Sequence, residues 1–139
     1  MIRHLDGIDG IDGYGGTVDC ANRVWRRSAV TVADVDVAQI YDGFTPVTVS
    51  WVEALGVCSR GEFGDWVGDG SRLGPRGDFP PNTAGGQLAE GRLHGISFLN
   101  EAVLQLRGQC TDRQVPGAQV AIVASGLYPQ CGAMVLTGA

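Results

Sequence analysis

Apolar residues recur along this chain at two spacings, one typical of helices and one typical of strands. Helical spacing predicts three helices, over residues 17–28, 45–56 and 94–107. Valine-rich alternation and short apolar runs predict three strands, over residues 35–41, 119–124 and 132–136. Because the last two strands are separated only by a short turn with glycine and proline, we expect an antiparallel hairpin. The order predicts an α/β fold: a mixed β-sheet with helices on its faces and a C-terminal β-hairpin.

The third predicted helix has the clearest apolar stripe. We expect this stripe to face the core, and it consists of Ile96, Leu99, Ala102, Val103 and Leu106.

Two stretches interrupt the pattern. Residues 1–16 carry an Asp-Gly repeat without the glutamate that a calcium loop needs, so we predict a flexible N-terminal segment followed by one domain over 17–139. Residues 59–86 are rich in glycine and proline, with one short helix predicted over 62–67. A loop of this length within a compact domain is usually functional, and we expect it to shape a substrate entrance or a partner surface.

Charge and cysteine content narrow the function classes. Ten basic against fifteen acidic residues give a net charge of -5, which disfavours nucleic-acid binding. The sequence has no apolar run long enough to span a membrane and no signal-like start, so we expect a cytoplasmic protein. None of Cys20, Cys58, Cys110 and Cys131 has a zinc-ligand spacing, so we expect reduced, mostly buried thiols and no metal site.

Three stretches together resemble the C-terminal half of a thiolase: residues 35–44, which contain Tyr-Asp-Gly-Phe, residues 82–108, and the hairpin over 119–136. The middle stretch is the most specific, because Asn-Thr-Ala-Gly-Gly leads into Gly-Arg-Leu-His-Gly and then a helix ending in Gln-Leu-Arg-Gly. The forms are most similar to the lipid-transfer-protein, or sterol-carrier-protein, type of thiolase. That subgroup includes retro-aldolases that shorten steroid side chains as CoA thioesters, together with a small partner carrying an OB-fold and a zinc ribbon.

The chain departs from the thiolase pattern at each catalytic position. Thiolases use a cysteine nucleophile, which belongs to an N-terminal half that we expect to be absent here. Arg92 and Leu93 stand where the Gly-His-Pro motif has its histidine and proline, and His94 follows. Ser125 stands where the hairpin has its second cysteine, and Tyr41 replaces the strand-end asparagine or histidine.

These departures argue against the usual acyl-enzyme chemistry. The expected activity is acyl transfer or retro-aldol cleavage by acid/base and oxyanion-stabilising groups, without the usual pair of cysteines. The resemblance implies a catalytic set and a substrate-binding set; the first is Tyr41, His94, Arg92 and Tyr128, and the second is Asn82, Gly85, Gly86 and Gly95. Either Tyr41 or His94 could be the base. Structural alternatives are a core role for Tyr41, an ion pair of Arg92 with Glu90 or Glu101, and a surface turn for Tyr128.

The resemblance also implies what the chain works with. We expect an acyl-CoA or steroid-CoA substrate, no cofactor beyond that CoA group, and an oligomer. The N-terminal half of the fold or a thiolase-like subunit would cover helix 94–107, so the chain alone would expose apolar surface and be inactive. The alternatives are a non-catalytic subunit that binds acyl-CoA or a partner, and an inactive truncated product.

Overall fold

The computed structural model describes residues 13–127 and 130–138 as a three-stranded sheet with helices on both faces. The helices and strands are α1 (Gly13–Arg27), β1 (Val37–Ile40), α2 (Thr45–Leu55), α3 (Phe63–Val67), α4 (Gly86–Glu90), α5 (Ile96–Leu106), β2 (Val120–Leu127) and β3 (Gln130–Thr137). Short 3₁₀ turns lie at Val32–Asp34, Ser71–Leu73 and Thr111–Arg113.

The sheet is mixed, as predicted, in the order β1-β2-β3. β1 runs parallel to β2, with Ile40 opposite Ala124, and β2 pairs antiparallel with β3. The segment from Pro80 to Asn82 lies along the other edge of β1, where the Ala38 N–H donates to the Pro80 oxygen at 3.0 Å and the Asn82 N–H donates to the Ala38 oxygen at 2.8 Å. The long loop therefore runs alongside β1, from the start of the strand towards its carboxyl end.

Alternation along the strands creates two cores. On one face, α1 and α2 pack against Ile40 and Ile122, and Trp51 of α2 is fully buried with its indole N–H donating to the Gly126 oxygen at 3.0 Å. On the other face, Phe98 of α5 packs against a cluster that includes Val37 and Val123. The α/β class and the C-terminal hairpin are therefore confirmed.

The prediction for the face of α5 was wrong for part of its stripe. Ala102 is buried as predicted, but Ile96 is 60% exposed and Leu99 and Val103 are only half-buried. The sheet instead receives Phe98 and Ala102 together with buried polar side chains of the same helix, Ser97, Glu101 and Gln105. Hydrogen bonds compensate the burial of Glu101 and Gln105. Of the predicted stripe, Leu106 packs against the second core with Ala102, whereas Ile96, Leu99 and Val103 keep part of their surface exposed.

Two element boundaries differ from the prediction by more than two residues. α1 begins at Gly13, four residues earlier than predicted, and residues 1–12 of the predicted flexible segment lie outside the described residues. β2 continues to Leu127, so Ser125 lies in a strand and not in the predicted turn. Among the described residues, no helix has the length and apolarity needed to cross a membrane.

Candidate active site

Tyr41 and Ser125 lie side by side where two parallel strands end. Tyr41 follows β1 directly, and its N–H donates to the Ala124 oxygen of β2 at 2.8 Å. Strand alternation places both side chains on the α5 face of the sheet. The Tyr41 ring is half-buried against both cores, and its hydroxyl lies over Gly43, where a Cβ would come within 2.5 Å of it. Because Gly43 has no side chain, there is space for the Tyr41 hydroxyl beside it.

The Gly-Arg-Leu-His-Gly segment lies over the end of β2. A Cβ at Gly95 would be 2.9 Å from Ser125 Oγ, so only glycine permits this close approach. His94 has a φ of +50° and Gly95 a φ of +90°, both in the left-handed region. A non-glycine residue rarely adopts this conformation, and such residues cluster at functional sites. Arg92 and His94 are exposed, on the same segment that covers Ser125.

Asn82 acts on the strand that carries Tyr41. Its side-chain oxygen accepts from the Ile40 N–H at 2.7 Å, and its amide nitrogen donates to the Ile40 oxygen at 2.9 Å. The Gly85 N–H is used locally, since it donates to the Asn82 oxygen at 2.7 Å. Asn82 therefore positions Ile40, the residue before Tyr41, and Gly85 in turn helps to position Asn82.

Asp42 is a site residue that sequence reasoning missed. Its Oδ1 accepts from the Gln87 N–H at 2.9 Å, which fixes the start of α4 beside the residue after Tyr41. A Cβ at Gly86 would overlap the Asp42 carboxylate and come within 3.0 Å of the Asn82 amide nitrogen. The signal available in the sequence was an aspartate directly after a buried strand, with a Gly-Gly pair in the loop expected to lie near it.

We expect Gly86→Ala to destabilise the protein by about 2 kcal/mol, because it combines a positive φ with a clash against Asp42. Gly56→Ala is the matched control: Gly56 also has a positive φ, of +86°, in the left-handed helical region, but a Cβ there meets no atom within 4 Å. We expect it to cost about 1 kcal/mol. Urea denaturation of the protein measures both changes, and equal losses would contradict the close packing of Gly86 on Asp42.

A buried ionic network ties the same loop to α5. Glu101 is 2% exposed and forms a bidentate pair with Arg113, whose Nε and Nη2 lie 3.0 Å from Oε1 and Oε2. Thr83 Oγ1 donates to Glu101 Oε1 at 2.7 Å and accepts from the amide of Gln105 at 3.0 Å. Burial acts to raise the pKa of Glu101, but the hydrogen bonds from Arg113, Thr83 and Gln105 outweigh it and lower the pKa. Glu101 thus pairs with Arg113, and not with Arg92.

The hairpin cysteine faces away from the candidate site. Cys131 packs on the α1 side of the sheet, with its Sγ 3.1 Å from Cys20 Sγ and 3.4 Å from the Gly16 oxygen. Burial, and then the hydrogen bond with Cys20, raises the pKa of Cys131 to about 12. All four cysteines are free, and Cys20 and Cys110 are buried. Within residues 13–127 and 130–138, no three His, Cys, Asp or Glu side chains are grouped so that they could hold a metal ion.

Two parts of the predicted loop over residues 59–86 lie at opposite ends of the sheet. Residues 75–78 line a cavity of about 470 Å³ together with Asp36 and Val115, which precede β1 and β2. Residues 82–86 reach the carboxyl ends of the strands, so it is this part of the loop that joins the candidate site. Tyr128, the remaining predicted catalytic residue, lies outside the described residues.

Large apolar side chains are exposed at the same end of the sheet. They follow β1, end β2, or lie on the segments that cover the two strands: Phe44, Leu88, Leu93, Ile96 and Leu127. Leu88 is 77% exposed, although Gln87 beside it is buried. Exposed apolar side chains of this size are candidates for contact with a substrate or with another part of the protein.

Known proteins match most of this chain. A family model described as thiolase C-terminal domain-like matches residues 12–137. The chain is 41% identical over 104 residues to a Mycobacterium tuberculosis protein named 17-hydroxy-3-oxo-4-pregnene-20-carboxyl-CoA lyase, a match that covers 75% of this chain and 26% of that protein. It is 36% identical over 110 residues to a steroid side-chain-cleaving aldolase of Thermomonospora curvata, a match that covers 79% and 28% of the two chains.

A solved structure named Ltp2-ChsH2(DUF35) aldolase has the same fold. It matches with a TM-score of 0.83 and 31% identity, over 98% of this chain and 34% of that one. The chain therefore spans between a quarter and about a third of the length of these relatives.

Proposed function

The chain belongs to the thiolase C-terminal domain-like family, and on that premise we propose that it is the C-terminal part of a thiolase-like retro-aldolase acting on an acyl-CoA or steroid-CoA thioester. One observation carries the proposal. Tyr41 and Ser125 lie together at the strand ends, while Cys131 faces the opposite side of the sheet. The family resemblance equates these two positions with the asparagine or histidine and the second cysteine of a thiolase. The relatives named as a lyase and an aldolase support the same chemistry.

Retro-aldol cleavage requires a base and hydrogen-bond donors that stabilise an enolate. A base removes the proton from the β-hydroxyl, the Cα–Cβ bond breaks to leave a ketone or aldehyde, and its electrons form the enolate of the thioester, which is then protonated. Tyr41 or His94 is the base. Arg92 and the backbone N–H of Gly95 are donors that stabilise the enolate oxygen. Substrate CoA supplies the thioester, so no cofactor takes part.

The exposed apolar residues have two uses in this proposal. Those around the candidate site, such as Leu88 and Leu93, contact the acyl chain. The outward stripe of α5, with Ile96 and Leu99, packs against the other half of the fold or a thiolase-like subunit. An oligomer and a partner with an OB-fold and a zinc ribbon complete the assembly, and the matched aldolase structure, whose name joins two components, supports a partner.

The test uses the complete protein with any subunit that copurifies with it. Incubation with a 3-hydroxyacyl-CoA, and with a steroid-CoA carrying a side-chain hydroxyl, is expected to release a carbonyl compound and a shortened acyl-CoA, followed by mass spectrometry. Transfer of an acyl group to free CoA without this cleavage would overturn the proposal. Binding of thioesters by the complete assembly with no turnover would support the non-catalytic alternative.

We expect Cys131→Ser to keep the rate of cleavage within about twofold of the unmodified protein, because its thiol lies on the α1 face and its pKa of about 12 keeps it protonated. Cys20→Ser is the matched control, because the Cys20 thiol is the one that contacts the Cys131 thiol. Loss of turnover in Cys131→Ser alone, with an unchanged melting temperature, would show that the chemistry uses the hairpin cysteine.

A further inference from the structure

The hydroxyl of Thr83 is the centre of a hydrogen-bond network that reaches β1. It donates to Glu101 Oε1 at 2.7 Å, and it accepts from the side-chain amides of Gln105 at 3.0 Å and of Gln39 at 3.1 Å. Gln39 belongs to β1 and is 1% exposed, so Thr83 joins this strand to α5. A hydroxyl has one proton and two lone pairs. The three contacts therefore engage the full hydrogen-bonding capacity of Thr83.

The charge of Glu101 fixes the direction of these hydrogen bonds. An ionised carboxylate can only accept hydrogen bonds, and the bidentate pair with Arg113 favours the ionised form of Glu101. The Thr83 hydroxyl must then give its proton to Glu101, which leaves its lone pairs for the two amides. Because an amide nitrogen can only donate, Gln39 and Gln105 are each held in one orientation.

Two consecutive residues of the loop thus hold the end of β1. Asn82 binds both backbone groups of Ile40, and Thr83 holds the side chain of Gln39. Side chains two positions apart along a strand lie on the same face of the sheet, so Gln39 precedes Tyr41 on the α5 face. Fixing Gln39 therefore restricts the strand end from which the Tyr41 side chain projects.

We propose that Thr83 is a positioning residue for Tyr41 and acts through Gln39 and the end of β1. This inference rests on the proposed function, with Tyr41 as the base. Proton transfer depends on the placement of the base, and a displacement of about 1 Å can cost about 10²-fold in rate. The Thr83 hydroxyl itself is committed to three groups of the protein, so it holds the base and takes no part in the proton transfer.

The test compares Thr83→Val, which removes the hydroxyl and nearly keeps the shape, with Thr83→Ser, which keeps the hydroxyl and removes only the methyl group. Both are made in the complete protein with any subunit that copurifies with it. We expect Thr83→Val to lower kcat for thioester cleavage about tenfold with KM within about threefold, because the bonds of Asn82 to Ile40 remain. Thr83→Ser is expected to keep kcat within about threefold.

Val35→Ala is the control for a loss of stability alone. Val35 is buried two residues before β1, at the opposite end of the strand from Tyr41. We expect Val35→Ala to lower the melting temperature and to leave kcat nearly unchanged. Equal losses of kcat in Thr83→Val and Val35→Ala would overturn the inference, and so would equal losses in Thr83→Val and Thr83→Ser.

A second measurement does not depend on turnover. The protein is labelled with tyrosine that carries an NMR-active carbon isotope next to the hydroxyl, and the Tyr41 signal is assigned by its loss in Tyr41→Phe. Thr83→Val is expected to change the chemical shift of this signal, and Thr83→Ser is expected to restore it. In a protein that cleaves thioesters, either an unchanged kcat or an unchanged Tyr41 signal in Thr83→Val would overturn the inference. If the unmodified protein shows no cleavage but Thr83→Val changes the signal, the proposed function fails and the positioning of Tyr41 stands.

Discussion

Replacing Arg113 with methionine is expected to lower the free energy of unfolding by about 3 kcal/mol at neutral pH, among the larger effects of a single substitution in this chain. Glu101 is 2% exposed, and Arg113 supplies the positive charge that its carboxylate contacts at 3.0 Å. Removing one partner of a buried ion pair costs roughly 3–5 kcal/mol because the other charge stays buried. We expect the lower end of this range because the Arg113 side chain is itself 42% exposed.

The loss should depend on pH in a defined direction. The pKa of Glu101 is held below its ordinary value of 4.5, because hydrogen bonds from Arg113, Thr83 and Gln105 outweigh the effect of burial, which raises it. A lowered pKa in the folded state contributes stability that is present above the unfolded value and is lost as the pH falls through the folded one. The deficit of Arg113→Met should therefore be largest at pH 7 and smaller at about pH 4.

Urea denaturation at both pH values measures this difference. Asp78→Asn is the control, because it removes an exposed ion pair, with Arg72, in which the charges are 3.7 Å apart. Exposed pairs contribute little, so we expect a change of less than about 0.5 kcal/mol. A deficit for Arg113→Met that is the same at both pH values would show that packing of the arginine stem, and not the charge of Glu101, carries the effect.

The order of elements and the mixed sheet could be predicted from the sequence because hydrophobic spacing reports them directly. The family resemblance was also predicted and is confirmed, since its motifs are local stretches of sequence. The inward face of α5 could not be predicted in the same way. An apolar stripe such as Ile96 and Leu99 indicates that something covers a helix, but not which neighbour does so. Burial of Glu101 depends on Thr83 and Arg113, both more than ten residues away along the chain.

The candidate site was predictable to the extent that it follows from strand ends and motifs. Tyr41 and Gly95 were chosen for such reasons, and the structure brings their segments together through Ala124 and Ser125. Asp42 and Gln87 were missed because their roles depend on how the Gly85-Gly86 turn lies against β1. That geometry arises from three hydrogen bonds of the Asn82 and Asp42 side chains with backbone atoms. Such bonds cannot be predicted from the spacing of residues along the sequence.

Tyr41→Phe is expected to reduce the turnover number for thioester cleavage by about 10³-fold while changing KM by less than about threefold. General acid–base catalysis contributes about 10²–10⁴-fold, and an effect made only in the transition state lowers kcat without altering ground-state binding. The described hydrogen bonds of Tyr41 are made by its backbone, to the Ala124 oxygen and from the Thr48 hydroxyl. Removal of the phenolic oxygen should therefore leave the melting temperature nearly unchanged.

Ser50→Ala is the control for Tyr41→Phe, because it removes a hydroxyl of α2 that donates to the Pro46 oxygen and has no role in the candidate site, and we expect turnover within about threefold of the unmodified protein. His94→Gln separates the two candidate bases. If Tyr41→Phe keeps its turnover and His94→Gln loses it, the histidine is the base and the tyrosine fills the space beside Gly43. If Tyr41→Phe lowers the melting temperature and leaves kcat intact, the Tyr41 hydroxyl belongs to the core. A fall in kcat with unchanged KM and melting temperature assigns it to the reaction, because the lost interaction is then one made only in the transition state.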